Sequence, residues 1–210
     1  MITLFFIAAI SSAHAHLPNE IFQLKKIQHL NYPRMAELVS TQKPFVREML
    51  SLGWPLKCLT IRDGVGVPMI VQPEPGSYFI DVHWGDDIYS CDQTGEPAEV
   101  LTPVSGQAFL PEDYEHPPKN IVYGDYTKEL WILDDQSGAL IRLAHVVARP
   151  DFAYSSRRHV ERGEVVARLA AVPEPYRHVH LEAFDLSTGR ALEPLEFLPH
   201  TPINKPLLLS

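Results

Sequence analysis

From Leu59 onward the chain consists of short runs in which apolar and polar residues trade places: VPMIVQ at 67–72, SYFIDV at 77–82, ELWILDD at 129–135, ALIRLAHVVA at 139–148 and EVVARLAA at 164–171. Runs of this length, rich in β-branched residues and bounded by Pro, Gly, Asp and Asn, are strand signals. The pattern predicts a mainly β protein of antiparallel sheet. ELWILDD and ALIRLAHVV, separated by Gln136-Ser137-Gly138, read as a hairpin whose glycine supplies the tight turn. Upstream, Met35, Leu38, Val39, Phe45, Val46, Met49 and Leu50 fit one or two amphipathic helices over residues 31–50, interrupted at Pro44 and serving as a packing element.

Side chains alternate across a strand, so HVHLEAF at 178–184 projects His178, His180 and Glu182 to one side and Val179, Leu181 and Ala183 to the other. One face is polar and convergent, the other belongs in a core. Buried polar groups need partners, which makes two imidazoles and a carboxylate on one face uncommon in a purely structural strand. The same alternation through ALIRLAHVV places Ile141, Leu143, His145 and Val147 together, so that His145 reads as a lone imidazole among apolar neighbours.

Composition is that of an ordinary globular protein, 45% hydrophobic and 21% charged over 210 residues. Nineteen prolines against eleven glycines, scattered along the chain, suit strands and loops better than a helical bundle. A net charge of -8 provides no basic surface for phosphates, so nucleic acid is excluded as a partner. The opening MITLFFIAAISSAHA joins an apolar run, Ile2 to Ile10, to the small-residue triplet Ala13-His14-Ala15, which reads as a signal peptide over residues 1–15 with export to the periplasm or outside the cell. The other reading, a short membrane anchor, requires roughly 20 apolar residues, about twice what is present. No later stretch is long or apolar enough to cross a bilayer, so no stable membrane insertion is expected once the signal is removed. Cys58 and Cys91 are the only two cysteines, and form either one bridge or two independent buried thiols.

Ten histidines suffice for about half a His-x-His by chance, whereas the glycine inside His83-Trp84-Gly85-Asp86-Asp87 lowers the expectation for that motif to about 0.03. Gly85 would let the backbone turn and aim His83 and Asp87 at a common point. Two imidazoles and a carboxylate suit a catalytic zinc, which takes three N or O ligands and keeps a fourth position open. Two of the histidines together with one aspartate would form such a set, and the two remaining histidines would be free to act as general base and as donors to developing negative charge.

These residues resemble the lysostaphin-like, or LytM-type, zinc endopeptidases that cut cell-wall peptides. HWGDDI at 83–88 looks like their His-x-Gly-x-Asp-Ile motif and GEPAEVLTPVSGQAF at 95–109 like the following Gly-Thr-Pro-Val stretch. ELWILDDQSGALIRLAHV is similar to the strand pair ending in Tyr-Ala-His-Leu, with Leu143 in place of the tyrosine. VERGEVVARL at 160–169, HVHLEAF at 178–184 and GRALEPLEFL at 189–198 resemble further blocks in the same order, so the resemblance spans roughly residues 70–198. A second departure is Val172-Pro173-Glu174-Pro175-Tyr176-Arg177, where the family has a Gly/Ser/Thr-rich turn. The resemblance implies a sheet sandwich or half-barrel of the LytM, duplicated hybrid motif, type. It also implies one Zn2+ held by His83, Asp87 and His180, with His145 and His178 as the catalytic pair.

The expected organisation is therefore a signal peptide at 1–15, a partly helical accessory segment at 16–69, a peptidase domain at 70–200 and a tail at 201–210. The expected activity is metal-assisted hydrolysis of peptide bonds in peptidoglycan by a monomer, falling below about pH 6 as the imidazoles protonate. Glu182 either orients a ligand histidine through its second ring nitrogen or is a solvated surface carboxylate. Loops 111–129 and 149–159 are long enough to wall or cover the groove. The rival function is a non-catalytic peptidoglycan-binding or hydrolase-activating domain on the same fold. Zinc storage is a weaker third, since the histidines form no tract.

Overall fold

A computed structural model describes residues 43–63, 68–71, 79–82, 85–91, 96–111, 128–152, 157–171, 177–199 and 207–208. Its strands are β1 (Cys58–Asp63), β2 (Pro68–Val71), β3 (Phe79–Val82), β4 (Asp86–Ser90), β5 (Glu99–Leu101), β6 (Gly106–Phe109) and β7 (Glu129–Asp134). They continue with β8 (Ala139–Ala144), β9 (Val146–Ala148), β10 (Arg158–Val160), β11 (Val165–Leu169), β12 (His178–Asp185), β13 (Arg190–Leu192) and β14 (Leu207–Leu208). Among the described residues these make one open sheet in the order β10-β6-β7-β8-β12-β4-β1-β14 with β13 beside β12, a three-stranded sheet β5-β11-β9, and the hairpin β2-β3. The mainly antiparallel β architecture expected from the alternation is present.

The β7-β8 hairpin closes as expected. Gly138 takes a φ of 74°, a left-handed conformation open to glycine at no steric cost. Asp134 secures the turn, its carboxylate accepting from the Ser137 backbone N–H at 2.9 Å and from the Ser137 hydroxyl.

One face of the main sheet carries the core. Ile88, Leu130, Ile132, Ile141, Leu143, Val179 and Leu181 share a cluster with Val100, Val146, Val166 and Leu169 of the smaller sheet, so the two sheets pack as layers over a common apolar interior. Each such side chain, fully buried, contributes on the order of 1.5–3 kcal/mol. β12 lies between β8 and β4 and is buried along its whole length, which explains why its polar face must find partners within the protein.

Of the one or two helices expected over residues 31–50, the part after Pro44 is not an α-helix. Residues up to 42 lie outside the described part, and Arg47–Met49 form one 3-10 turn. From Leu50 the burial period changes to two: Leu50, Leu52, Trp54 and Leu56 all enter the core as an extended strap. Leu52 N–H donates to Phe197 O at 2.9 Å, and Gly53 N–H to Pro103 O at 2.7 Å. The sheet also begins earlier than residue 70, since β1 pairs with β4. Cys58 and Cys91 form a disulfide joining β1 to the end of β4. Most of loop 111–129 and the centre of loop 149–159 lie outside the described residues. No helix among the described residues is long and apolar enough to cross a membrane.

Candidate metal and catalytic site

Sheet register assembles the site. On the face away from the core, β12 sets His178 opposite Tyr89 and His180 opposite Asp87 of β4, and sets Glu182 opposite Arg142 of β8. Paired residues share a face, so strand alternation and register together bring Asp87, His178, His180 and Glu182 to one place. All four are buried, at 8, 5, 9 and 5% exposure. Asp86, the other carboxylate of the motif, points the opposite way and accepts from the Leu195 backbone N–H at 3.1 Å, a structural role.

His180 lies between two carboxylates. Its Nδ1 is 2.9 Å from Asp87 Oδ1 and its Nε2 is 2.8 Å from Glu182 Oε1. Burial alone would push the imidazole pKa down, but hydrogen bonds and charge from Asp87 and Glu182 outweigh it and raise the value to about 9. Burial would raise Glu182, yet the charge of Arg142 and the hydrogen bond to His180 hold it far below the usual carboxylate range. An ionised carboxylate only accepts, so Nε2 bears a proton, and Nδ1 faces Asp87 across a gap that a second proton or a metal ion must bridge. Glu182 is thus a buried partner of His180 and not a solvated surface group.

His145 does not sit where alternation predicts. It follows β8 as a bend with a φ of 63°, the only positive value among non-glycine residues described. Histidine is among the non-glycine residues that tolerate this conformation best. The bend interrupts the alternation: Ile141, Leu143 and Val146 remain in the core, while His145 is half-buried against the polar cluster. Its ring centroid is 4.8 Å from that of His178, edge to face, and 5.8 Å from that of His180. His178 in turn has Nε2 3.4 Å from Asp87 Oδ1 and stacks at a tilt on Tyr89, with centroids 4.8 Å apart.

The backbone bends at Gly85 without a positive φ, and the site also requires its missing side chain. A Cβ there would lie 2.5 Å from Leu181 O and 2.9 Å from both Glu182 Cγ and His180 Cε1. The His180–Glu182 pair occupies the space that any other residue would fill.

Of the expected site, Asp87, His145, His178 and His180 come together with Glu182, and His83 lies outside the described residues. Among the described residues no three metal-binding side chains close round one position. The residues present nonetheless fit zinc. Ligand atoms about 2.0–2.1 Å from a tetrahedral ion lie roughly 3.3 Å from each other, so His180 Nδ1 and Asp87 Oδ1 need part by only a few tenths of an ångström. With His180 neutral, the carboxylates of Asp87, Glu182 and Glu129 against the guanidinium of Arg142 leave a formal charge of -2, matching a divalent cation.

Sequence reasoning missed Arg142, Glu129 and Trp131. Arg142 donates to Glu182 at 2.9 Å and also to Glu129, which accepts from Trp131 Nε1 at 2.6 Å. Register alone brings these residues together.

Among solved structures, the chain is similar to Csd3 of Helicobacter pylori, at 17% identity and a TM-score of 0.47, over 72% of this chain and 36% of that one. It is also similar to the SpoIIQ-SpoIIIAH pore forming complex, at 15% identity and a TM-score of 0.49, over 71% of this chain and 92% of that one. A third likeness is to the catalytic domain of the antimicrobial peptidase lysostaphin from Staphylococcus simulans, at 12% identity and a TM-score of 0.42, over 66% of this chain and 91% of that one. The chain thus spans 36% of the length of the Csd3 protein it matches. No protein-family model and no curated protein matches the chain.

Proposed function

We propose that the chain is an exported zinc-dependent endopeptidase that hydrolyses peptide bonds in cell-wall peptidoglycan, with one Zn2+ held by His83, Asp87 and His180. The observation that carries this reading is the convergence of Asp87 with three imidazoles, two from one strand and one from a strained bend. Asp87 and His180 are 93 residues apart in the chain, yet touch.

When bound, zinc supplies Lewis acidity that polarises the scissile carbonyl and makes water nucleophilic at neutral pH. Asp87 and the Nδ1 lone pair of His180 hold the ion together with His83. His145 and His178 lie edge to face beside them. One neutral imidazole accepts the water proton, and the other donates a hydrogen bond to the oxygen that gains charge as the carbonyl carbon becomes tetrahedral. Burial of His178 keeps bulk water from competing for that bond.

The test is to incubate the mature protein with peptidoglycan and zinc and to count new amino termini. Changing His83, Asp87 or His180 to Ala removes both bound zinc and hydrolysis. Changing His145 or His178 to Ala leaves zinc bound and slows hydrolysis by about 10²–10⁴-fold. Hydrolysis retained without His180 refutes the reading, and zinc binding with no new amino termini favours a non-catalytic wall-binding domain.

A further inference from the structure

The motifs of the sequence leave Arg142 without a role, yet it is the centre of the most heavily bonded polar group on the site face. Its Nη1 lies 2.9 Å from Glu182 Oε2, and its Nε and Nη2 both contact Glu129 Oε2. The other Glu129 oxygen accepts from Trp131 Nε1 at 2.6 Å. Register sets Trp131 opposite Arg142 and Arg142 opposite Glu182. A row of hydrogen bonds therefore crosses β7, β8 and β12 and reaches β4 through His180 and Asp87.

The two oxygens of Glu182 divide their work. Oε2 belongs to Arg142 and Oε1 to His180. A carboxylate held only by the imidazole could rotate about its terminal torsion and release it. Held from behind by a guanidinium that is itself anchored on Glu129, it has one orientation. That orientation fixes the His180 ring with Nε2 toward Glu182 and Nδ1 toward Asp87. Stability alone accounts poorly for such a triad, since buried ion pairs replaced by apolar groups of like volume often cost nothing.

We propose that Arg142, anchored by Glu129, is a positioning residue that holds Glu182 against His180 Nε2 and so presents Nδ1 for metal ligation. The proposal rests on the zinc reading above. It requires arginine specifically, because engaging one carboxylate through Nε and Nη2 and another through Nη1 uses the planar fork that lysine lacks.

R142K and E129Q in the mature protein test it by two measurements. Zinc affinity comes from competition with a chromophoric chelator, and the 15N shifts of the His180 ring, recorded without metal, report which nitrogen carries hydrogen and how uniform the ring's environment is. Folded R142K should bind zinc about 10- to 100-fold more weakly and show a shifted or broadened Nε2 resonance, and E129Q should move both in the same direction by less. Wild-type affinity with unshifted ring nitrogens in folded R142K overturns the proposal. Should R142K fail to fold, the same null result in E129Q overturns it. A wild-type protein that takes up no zinc defeats the zinc reading instead, and the metal-free ring resonances then decide the role of Arg142 alone.

Discussion

Gly85→Ala probes how tightly the site is drawn together. The new Cβ would sit 2.5 Å from Leu181 O, against a floor of 3.0 Å for real Cβ contacts, so the oxygen must retreat by at least 0.5 Å (3.0 − 2.5). That oxygen is backbone, on a strand paired on both sides by β8 and β4. It cannot rotate away as a side-chain tip would. The strands must separate near residue 85, two positions from Asp87, and the imidazole and carboxylate stem at 2.9 Å must move as well. Overpacking costs about 1–3 kcal/mol, and a clash with fixed backbone belongs at the upper end. For a protein of this size, about 3 kcal/mol lowers Tm by roughly 6–12 °C. The same displacement draws Asp87 from His180, so zinc affinity should fall about tenfold or more. Calorimetry with and without zinc, with chelator competition, measures both effects. Gly163→Ala is the control: its Cβ meets nothing within 4 Å but its φ is +84°, so it costs about 1–2 kcal/mol of backbone strain and leaves zinc affinity unchanged. A Gly85→Ala protein that melts within about 2 °C of wild type and binds zinc equally well would show that the missing side chain at residue 85 does not hold the site together.

Two other perturbations separate the remaining contributions. In the metal-free protein the folded pKa of His180, about 9, lies above the ordinary 6.5, so its contribution is fully present below pH 6.5 and is lost as pH rises through 9. Urea denaturation at pH 6.5, 8 and 10 should reveal a loss of roughly 3 kcal/mol across that window, and a flat profile would mean that His180 is not held between two carboxylates. Replacing Cys58 and Cys91 together by Ser opens a link spanning 33 residues, for which loop closure gives about 4 kcal/mol. Thermal melts of the double variant against wild type measure it, and an unchanged Tm under non-reducing conditions would indicate that the two thiols are not bridged.

Features encoded locally are legible in the sequence. The period-two pattern of HVHLEAF places Val179 and Leu181 in the core and His178, His180 and Glu182 opposite them, and the Gly138 hairpin closes where its turn residues stand. Failure begins where one pattern overlaps another. Met49 and Leu50 complete an apparent helical stripe, but Leu50 is also the first residue of the alternation through Leu52, Trp54 and Leu56, and burial of those side chains, with Met49 left exposed, decides the conformation. His145 fails for a related reason. Period-two reasoning assumes extended backbone, and a single residue at a φ of 63° reverses the face of its own side chain.

The electrostatics of the site are legible only as residue types. His83-x-Gly-x-Asp87 and His178-x-His180 stand out in the sequence as candidate ligands because their spacing is short enough to imply a shared face or turn. Arg142 and Glu129 carry no such spacing, being 40 residues from Glu182 and 13 from Arg142 respectively. Yet they set the balance of charge. Asp87 and Glu182 alone around a neutral His180 would already present -2 to a dication. Adding Arg142 without Glu129 would leave -1, and Glu129 restores -2 while pinning the guanidinium. The arrangement gains a rigid support for Glu182 while keeping the formal charge that the proposed zinc would require. Such a compensated pair follows from register across three strands, which no local pattern in the chain specifies.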